Sequence, residues 1–473
     1  MDAGQEKIFA GSRLRRLRRD AGQTQAQFAD ALGVSPSYLN LLERNQRPVT
    51  ARVLLALAEA FDVDVRAFAA ESDRQLIADL TEAAGDPVLA GADLDKRDLQ
   101  EFADAHPRAA EAFARLHRAY REANTAASDL ANRVAEGGAT PGGALSALEE
   151  VRDALDAAQN CFPAIDDAAS QLRDMLDPGP ARPLGQALAE RLKESHGATV
   201  RVYDDSVTGG ALRRFDFHAR RLLLSDRLSP AARVFHMAAT LALMELGDLL
   251  DEEAGKPDFA SDGAKALHRA TLANYAAAAI MMPYAPFLEA AERQRYDIEA
   301  LGRRFEASFE QVCHRLTTLN RSGARGVAFF MLKLDQAGNV SKRFGGGVLA
   351  FARSGGGCAR WRLYDAFRAP ERIHVQPIEL TDGSRFLSIA RAVARPLPEG
   401  GQALQAVAVG CEAKEMNRLV YDPGEGAGFT PAGLSCRLCE RADCAERAFP
   451  PIHRSLRVEP HLRGPAPFAF GDD

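Results

Sequence analysis

Three cysteines near the C-terminus have the spacing of metal ligands. Cys436, Cys439 and Cys444 form a C-x2-C-x4-C pattern, and Cys411 ends the strand predicted before them. Four thiolates satisfy either a tetrahedral zinc ion or the four irons of a cubane cluster. Three close cysteines with one distant cysteine are the commoner iron–sulfur arrangement, so the pattern favours a [4Fe–4S] cluster and leaves zinc as the alternative. His453 is a second candidate for the position assigned to Cys411.

Length, charge and the remaining cysteines bound the class of protein. The chain has 473 residues and a formal net charge of −6, so we expect several domains and exclude a nonspecific polycation. Cys161, Cys313 and Cys358 have no partner pattern and are expected to be structural. We find no apolar segment of the signal-peptide type and no run of about 20 apolar residues. We therefore expect a cytoplasmic protein without a membrane span or a disulfide framework.

Residues 24–47 carry the signals of two short helices joined by a tight turn. Thr24 and Gln27 form a T-x-x-Q capping box, and Gly33 can take the left-handed conformation that ends the first helix. Ser35 caps the second helix, which opens on a proline. A pair of helices of this size is typical of a unit that enters the DNA major groove.

The second of these helices presents a short, polar and mixed row of side chains, which suits the reading of base edges. We assign Ser37, Tyr38 and Asn40 to bases. Gln25, Arg44 and the arginines of the helix predicted before this pair are expected at phosphates. The predicted DNA contacts are Arg13, Arg16, Gln25, Ser35, Pro36, Ser37, Tyr38, Asn40 and Arg44. The segment resembles the Cro and lambda-repressor type of domain, in which the glutamine at the position of Gln25 supports the recognition helix.

The arginine-rich segment RLRRLRRD (13–20) precedes this unit. Leu14 and Leu17 are spaced for a core, so we expect the arginines to stay outside; these are Arg13, Arg15, Arg16, Arg18 and Arg19. A solvated surface is the alternative interpretation of such a face. Beside a helix-turn-helix it becomes a phosphate-contact surface, which supplies the salt-dependent part of affinity.

The pattern of the remaining chain predicts a multidomain protein with a mainly α N-terminal half and an α+β C-terminal half. We expect a five-helix DNA-binding domain at 1–70, a helical connector and dimerisation region at 71–180, a mixed domain at 181–325 and a sensor-like α+β domain at 326–473. The last of these should hold an antiparallel sheet of about five or six strands, with WRLYDAF (361–367) as one strand.

The helix predicted after the Ser-Pro pair at 229–230 resembles the entry to an ImmA/IrrE-type metallopeptidase helix. An active member carries H-E-x-x-H, two histidines for zinc and a glutamate as general base. The aligned positions here are Ala239, Thr240 and Leu243, and a frame set on His236 does not restore the pattern. We therefore expect a degenerate metallopeptidase domain and no enzyme. A protease-type sensor that cleaves a partner is the alternative function, and it is disfavoured because the motif is absent.

The whole chain resembles the short-chain fatty acyl-CoA regulators, bacterial transcription factors related to those of propionate, acetate and glyoxylate-cycle metabolism. The segments that carry the resemblance are SPSYLNLLERNQRPVT, LLLSDRLSPAARVF, ANYAAAAIMMPYAPFLEAAERQRYDIEALGRRFEASFEQVCHRLTTLNR, DQAGNVSKRF and CRLCERADCAERAFPP. The resemblance implies a cytoplasmic, dimeric regulator that reads acyl-CoA status, and it also favours the iron–sulfur cluster over zinc. Two copies on a two-fold axis would read a palindromic operator in double-stranded DNA.

An acyl-CoA site needs an apolar cleft for the acyl chain and cationic groups for the phosphates. The candidates are Asn274, Tyr275, Met281, Tyr284 and Phe287 for the cleft, with Lys342 and Arg343 for the phosphates. A helical core and a solvated turn are the alternative interpretation of these residues.

Overall fold

The computed structural model describes most of the chain at the level of helices, strands and side chains. The described residues are 11–44, 46–61, 71–89, 92, 94–136, 143–179, 182–204, 210–345, 349, 357–397, 401–424, 426–451, 454–457, 461, 464 and 469–471. None of the helices in this part of the chain is long and apolar enough to cross a membrane.

The described residues 11–61 form four helices, α1 (Gly11–Asp20), α2 (Gln25–Ala31), α3 (Pro36–Glu43) and α4 (Ala51–Phe61). The predicted start signals are confirmed, because Thr24 and Gln27 form the capping box and the Ser35 hydroxyl accepts the amide of Tyr38 at 3.1 Å. Gly33 has a φ of +63°, which a residue with a side chain rarely adopts. Apolar side chains from all four helices pack into one small core.

The described connector is helical, as predicted. Its helices are α5 (Glu71–Ala84), α6 (Lys96–Ala105), α7 (Pro107–Glu136), α8 (Gly143–Ala157) and α9 (Pro163–Leu176). Helices α5, α6 and α7 share a small core around Leu80 and Leu99. On α7, Leu116 and Tyr120 remain 68% and 39% exposed one helical turn apart.

The mixed domain combines helices with a small sheet. Its elements are α10 (Leu184–His196), β1 (Thr199–Tyr203), β2 (Arg213–Asp216), β3 (Arg221–Ser225), α11 (Pro230–Glu245), α12 (Gly247–Gly255), α13 (Asp262–Met281), α14 (Tyr284–Arg293), α15 (Ile298–Phe305) and α16 (Phe309–Leu316). Strand β3 lies between β1, to which it is parallel, and β2, to which it is antiparallel. The helix predicted after the Ser-Pro pair at 229–230 ends at Glu245, because the backbone leaves the helical region at Leu246, and a second helix starts at Gly247.

The C-terminal domain contains a sheet of six strands within the described residues. They are β4 (Phe330–Asp335), β5 (Val340–Phe344), β6 (His374–Glu379), β7 (Arg385–Pro396), β8 (Gln402–Glu412) and β9 (Thr430–Pro431), in the order β5-β4-β8-β7-β6-β9. All neighbours are antiparallel except β6 and β9. A separate pair, β10 (Ser455–Arg457) and β11 (Ala469–Gly471), lies further on.

The segment WRLYDAF is not a strand. Its centre, Tyr364–Phe367, is a turn of 3-10 helix, and the Trp361 indole donates to the Ser388 hydroxyl of β7 at 2.7 Å. The segment therefore covers one face of the sheet instead of extending it. Its apolar residues give the same pattern in either conformation, which is why the sequence favoured a strand.

The two faces of the sheet belong to different cores. On β8, Val407, Val409 and Cys411 face the helical domain and join its large core. Ala406 and Ala408 face the other way, into a second core that contains Trp361 and Cys358. This alternation follows from the two-residue period of a strand.

Candidate nucleic-acid interface, ligand pocket and metal centre

The predicted recognition helix α3 has an exposed polar side. Ser35, Pro36, Ser37 and Arg44 are exposed, while Tyr38 and Asn40 are half-buried, and Tyr38 packs against the core of the unit. The backbone of Arg13 and Arg16 belongs to α1, but their side chains lie outside what the structure describes.

A buried carboxylate ties the three helices of this interface together. Glu43, at the end of α3, is 4% exposed. Its two oxygens accept the Arg18 guanidinium at 2.7 and 3.3 Å, and Gln25 of α2 donates to it at 3.0 Å. Arg15 donates to its carbonyl at 2.9 Å. Gln25 thus supports the recognition helix through Glu43, which sequence reasoning missed although its spacing from Leu39 places it on the inward face.

This arrangement corrects one part of the phosphate-contact prediction. Arg18, expected to stay outside, has a side chain that is only 17% exposed because it is paired with Glu43. Arg15 is 42% exposed and lies against the same carboxylate. The reason is that α1 packs across the end of α3, so Arg15 and Arg18 meet protein on one side.

A cavity of about 750 Å³ lies where the mixed domain meets the sheet. Its volume is within the range of small-molecule and cofactor sites. The side of the mixed domain supplies apolar groups, among them Leu212, Leu228 and Phe235, and the sheet supplies Val393. The cationic side chains at its wall are Arg227, Lys333, Lys342 and Arg395, and Glu310 is the one carboxylate among the described lining residues.

Burial and mutual contacts shift the pKa values of the ionisable groups in this pocket. The Lys333 ammonium contacts both Glu310 oxygens at 2.8 and 2.9 Å, and Lys342 contacts one of them at 3.0 Å. Burial raises the pKa of Glu310, but the charges of Lys342 and Lys333 outweigh it and lower the pKa to about 2. Burial lowers the pKa of His236 to about 4 and that of His314 to about 3, so both histidines are neutral at pH 7.

The structure places two of the predicted ligand residues in this pocket, Asn274 and Lys342. The other five do not line it; Met281 and Phe287 are core residues with no exposure. Tyr275 donates to Asp166 at 2.7 Å, Tyr284 donates to the Ala324 carbonyl at 2.9 Å, and Arg343 pairs with Glu149 at 2.6 Å. Helix α13 is buried on most of its circumference, so the spacing of its apolar residues could not distinguish residues of a cleft from residues of the core.

The positions of the peptidase motif lie on α11. Ala239 is fully buried, Thr240 is 5% exposed and donates to the His236 carbonyl at 2.8 Å, and Leu243 is half-buried. In the described part of the chain no three His, Cys, Asp or Glu side chains come close enough together to hold a single metal ion.

The loop that carries the C-x2-C-x4-C pattern is compact. Cys436, Cys439 and Cys444 are each 8–9% exposed. Arg447, which is 3% exposed, donates to the carbonyls of Cys436 at 3.1 Å and Cys439 at 2.9 Å. A side chain at Gly433 would lie 3.2 Å from the Cys439 sulfur, so the loop needs glycine there.

The structure does not bring Cys411 to this loop. Cys411 faces the helical core, on the side of the sheet opposite to Trp361 and Cys358. Cys358, which the sequence analysis treated as structural, lies beside the loop instead. Burial raises its pKa, and the Cys436 and Cys439 thiolates are close enough to raise it further. His453 lies outside the described residues.

Comparisons with known proteins agree with this architecture. A helix-turn-helix model matches residues 10–70, an IrrE N-terminal-like domain model matches residues 193–317, and the model "Short-chain fatty acyl coenzyme A regulator, C-terminal" matches residues 318–468. Fold and sites therefore define a multidomain helix-turn-helix transcriptional regulator. The chain belongs to the family of short-chain fatty acyl-CoA regulators, as the sequence predicted.

Relatives match over nearly the whole length. The HTH-type transcriptional regulator RamB of Mycobacterium tuberculosis is 38% identical over 470 residues, 98% of each chain. The propionyl-CoA carboxylase regulator of Cereibacter sphaeroides is 38% identical over 476 residues, 99% of this chain and 100% of the relative. A solved structure of a Mycobacterium tuberculosis transcriptional regulator has a TM-score of 0.64 and 35% identity, and the match covers 68% of this chain and 99% of that chain.

Proposed function

We propose that this protein is a sequence-specific regulator of carbon metabolism genes whose affinity for DNA responds to an acyl-CoA. The observation that carries the proposal is a cation-walled pocket at the junction of two sensor domains in a chain that begins with a helix-turn-helix unit. The names of the relatives, which refer to transcriptional regulation and to propionyl-CoA carboxylase, agree with this role.

The DNA contacts are assigned to the exposed side of α3. Ser37 and Asn40 read bases, and Arg44 contacts phosphate. Loss of a base contact relaxes the preference at one position, whereas loss of a phosphate contact weakens all sequences alike and lowers the salt dependence. Selection of binding sites from random duplexes with Ser37→Ala, Asn40→Ala and Arg44→Ala tests the assignment. An unchanged motif for both base-contact variants would contradict it.

The pocket suits the two chemical ends of an acyl-CoA. Phosphate oxygens would meet Arg227, Arg395, Lys333 and Lys342, and the acyl chain would lie against Leu228, Phe235 and their apolar neighbours. Neutral His236 and His314 can hydrogen-bond a thioester without adding charge. Because Glu310 pairs with both lysines, it competes with the phosphates for them.

This competition gives a test with two opposite outcomes. Lys342→Ala should weaken the binding of propionyl-CoA to the full chain, and Glu310→Gln should strengthen it, as measured by calorimetry. Lys414→Ala, which removes an exposed lysine elsewhere, serves as the control. Equal affinities of all four proteins would place the ligand in another site.

The cysteine loop fits an iron–sulfur cluster with a revised set of ligands. Cys358, Cys436, Cys439 and Cys444 would hold it, and Cys411 would not, because it faces the opposite core. The Nε of buried Arg447 has no hydrogen-bond partner among the described residues, which suits a neighbouring anionic group. When bound, such a cluster responds to oxygen and iron supply.

The revised ligand set is tested by a matched pair of variants. Protein purified without oxygen should contain about four iron and four sulfide per chain. Cys358→Ser should lose most of this iron, whereas Cys411→Ser should keep it. The reverse result would restore Cys411 as the ligand, and one zinc per chain in colourless protein would replace the cluster by zinc.

A homodimer and a palindromic operator complete the proposal. One helix-turn-helix unit covers a few base pairs, so two units on a two-fold axis are needed for a specific site. The exposed pair Leu116 and Tyr120 on α7 lies within the dimerisation region predicted at 71–180 and supports the proposed dimer. A protease-type activity remains disfavoured, because Ala239, Thr240 and Leu243 offer neither ligands nor a base.

A further inference from the structure

A second cavity, of about 380 Å³, lies between β2 and α13 next to the ligand pocket. Its walls are Arg213, Leu243, Arg269, Asn274 and three alanines of α13. Asn274 lines the larger pocket as well, so the two cavities lie on either side of it. Ala270 is exposed at the rim, which leaves the cavity open to small molecules.

None of the described residues that line this cavity supplies a counter-ion for the charge of Arg213. Its NH1 atom is buried and has no hydrogen-bond partner among the described residues. Burial lowers its pKa, and no carboxylate acts against that effect. The other lining cation, Arg269, is neutralised by Asp251 at 2.5 Å. A cationic group with a buried nitrogen that lacks a partner is costly, so an anionic ligand would bring this nitrogen of half-buried Arg213 the partner that the described residues do not supply.

The surroundings of Arg213 define the size and kind of anion. His236 is near enough for the guanidinium to help burial lower its pKa to about 4, so it is neutral and brings no second charge. Leu243, at the position of the second histidine of active peptidases, and the alanines make the remaining wall apolar. One planar cation with a short apolar wall matches a carboxylate on a short carbon chain, because a guanidinium pairs with carboxylate oxygens in a bidentate manner.

We propose that this cavity is a carboxylate-binding subsite that takes the terminal carboxylate of a short dicarboxylic acid. The acid arrives either free or as the acyl end of a coenzyme A thioester that lies in the larger pocket; only the thioester route rests on the proposed function. In the thioester case, Arg213 makes the protein distinguish acyl groups that end in a carboxylate from those that end in a methyl group.

The test compares Arg213→Met with the wild-type full chain by calorimetry, with succinate, succinyl-CoA, propionyl-CoA and coenzyme A as probes. A charge-assisted contact of this kind corresponds to roughly tenfold to a hundredfold in affinity. We expect Arg213→Met to weaken the affinity for succinyl-CoA by that factor, or the affinity for free succinate if the acid binds free. The affinity for propionyl-CoA should change by less than about threefold. Arg213→Lys should restore part of the loss.

Two further variants separate binding from folding. Arg214→Met removes the exposed neighbouring arginine of β2 and should change nothing. Ala270→Leu keeps Arg213 but fills the rim, and should also exclude succinate or succinyl-CoA. Arg213→Met should melt no lower than the wild type, because it removes a half-buried charge for which the described residues supply no carboxylate.

The outcomes distinguish the two proposals. If the binding of neither succinate nor succinyl-CoA depends on Arg213, the subsite is refuted, whatever the affinity for propionyl-CoA. If propionyl-CoA, succinyl-CoA and coenzyme A all fail to bind the wild type, the acyl-CoA function is refuted, and Arg213-dependent binding of free succinate would still support the subsite.

Discussion

The buried carboxylate of Glu43 allows a sharp test of how the recognition helix is held. Glu43→Gln keeps the shape of the side chain but removes the charge that Arg18 and Gln25 contact. Breaking a fully buried ion pair costs about 3–5 kcal/mol. Because Arg18 is 17% exposed and solvent replaces part of the loss, we expect about 2–3 kcal/mol.

This loss should be local to the helix-turn-helix unit. Hydrogen exchange measured on the full chain reports the free energy of opening of each segment. A change of about 2–3 kcal/mol corresponds to roughly 30- to 140-fold lower protection in α2 and α3. Protection in the sheet around β7 and β8 should not change, and specific DNA affinity should fall with the protection of α3.

The control makes the same change of charge on the surface of the same unit. Asp30 of α2 is exposed, and Asp30→Asn should alter protection by less than about threefold. If Glu43→Gln behaves like Asp30→Asn, the buried carboxylate does not hold the recognition helix, and its contacts with α1 and α2 contribute little to stability.

Three further predictions concern the sensor and the connector. Glu310 has a folded-state pKa of about 2, below its ordinary value of 4.5. Its contribution to stability, at most about 3 kcal/mol, is therefore present above pH 4.5 and lost as the pH falls towards 2. Unfolding free energies of wild type and Glu310→Gln should therefore converge on acidification, and a constant difference would contradict this. Arg343→Met should reduce the effect of propionyl-CoA on operator affinity without changing the affinity for propionyl-CoA itself. An unchanged effect of propionyl-CoA on operator affinity would exclude transmission of the ligand signal through Arg343. Leu116→Glu should give a monomer by light scattering, whereas Arg115→Glu, at the exposed neighbour on α7, should remain a dimer.

The parts of the fold that could be predicted from sequence are those that local signals specify. The caps at Thr24 and Ser35 and the turn at Gly33 depend on a few adjacent residues, and the structure confirms them. Two-residue alternation predicted the antiparallel sheet of about five or six strands, and it also indicates which face of the sheet each residue occupies. Cys411 follows Val407 and Val409 at two-residue intervals on β8, so its side chain faces the same core as theirs.

Contacts between distant segments could not be predicted in this way. Cys358 joins the cysteine loop because the 3-10 segment after it folds back over the sheet, and no spacing in the sequence encodes that approach. Lys333 and Glu310 meet in the pocket although one lies on β4 and the other on α16. Arg213 and Leu243 line one cavity for the same reason. Such sites are set by packing between elements, and each element alone gives an ordinary pattern.

The edge strand β5 is the point at which the pocket and the connector meet. Lys342 lines the pocket, while the next residue, Arg343, points to the opposite side and pairs with Glu149 of α8 at 2.6 Å. Arg152 of α8 also donates to the carbonyl of Ser341 at 3.4 Å. A ligand that draws Lys342 away from Glu310 therefore acts on a short strand whose other side holds the connector. Because α8 follows α7, which carries the proposed dimer contact, we propose that the response to a ligand is transmitted towards the DNA-binding unit through this strand.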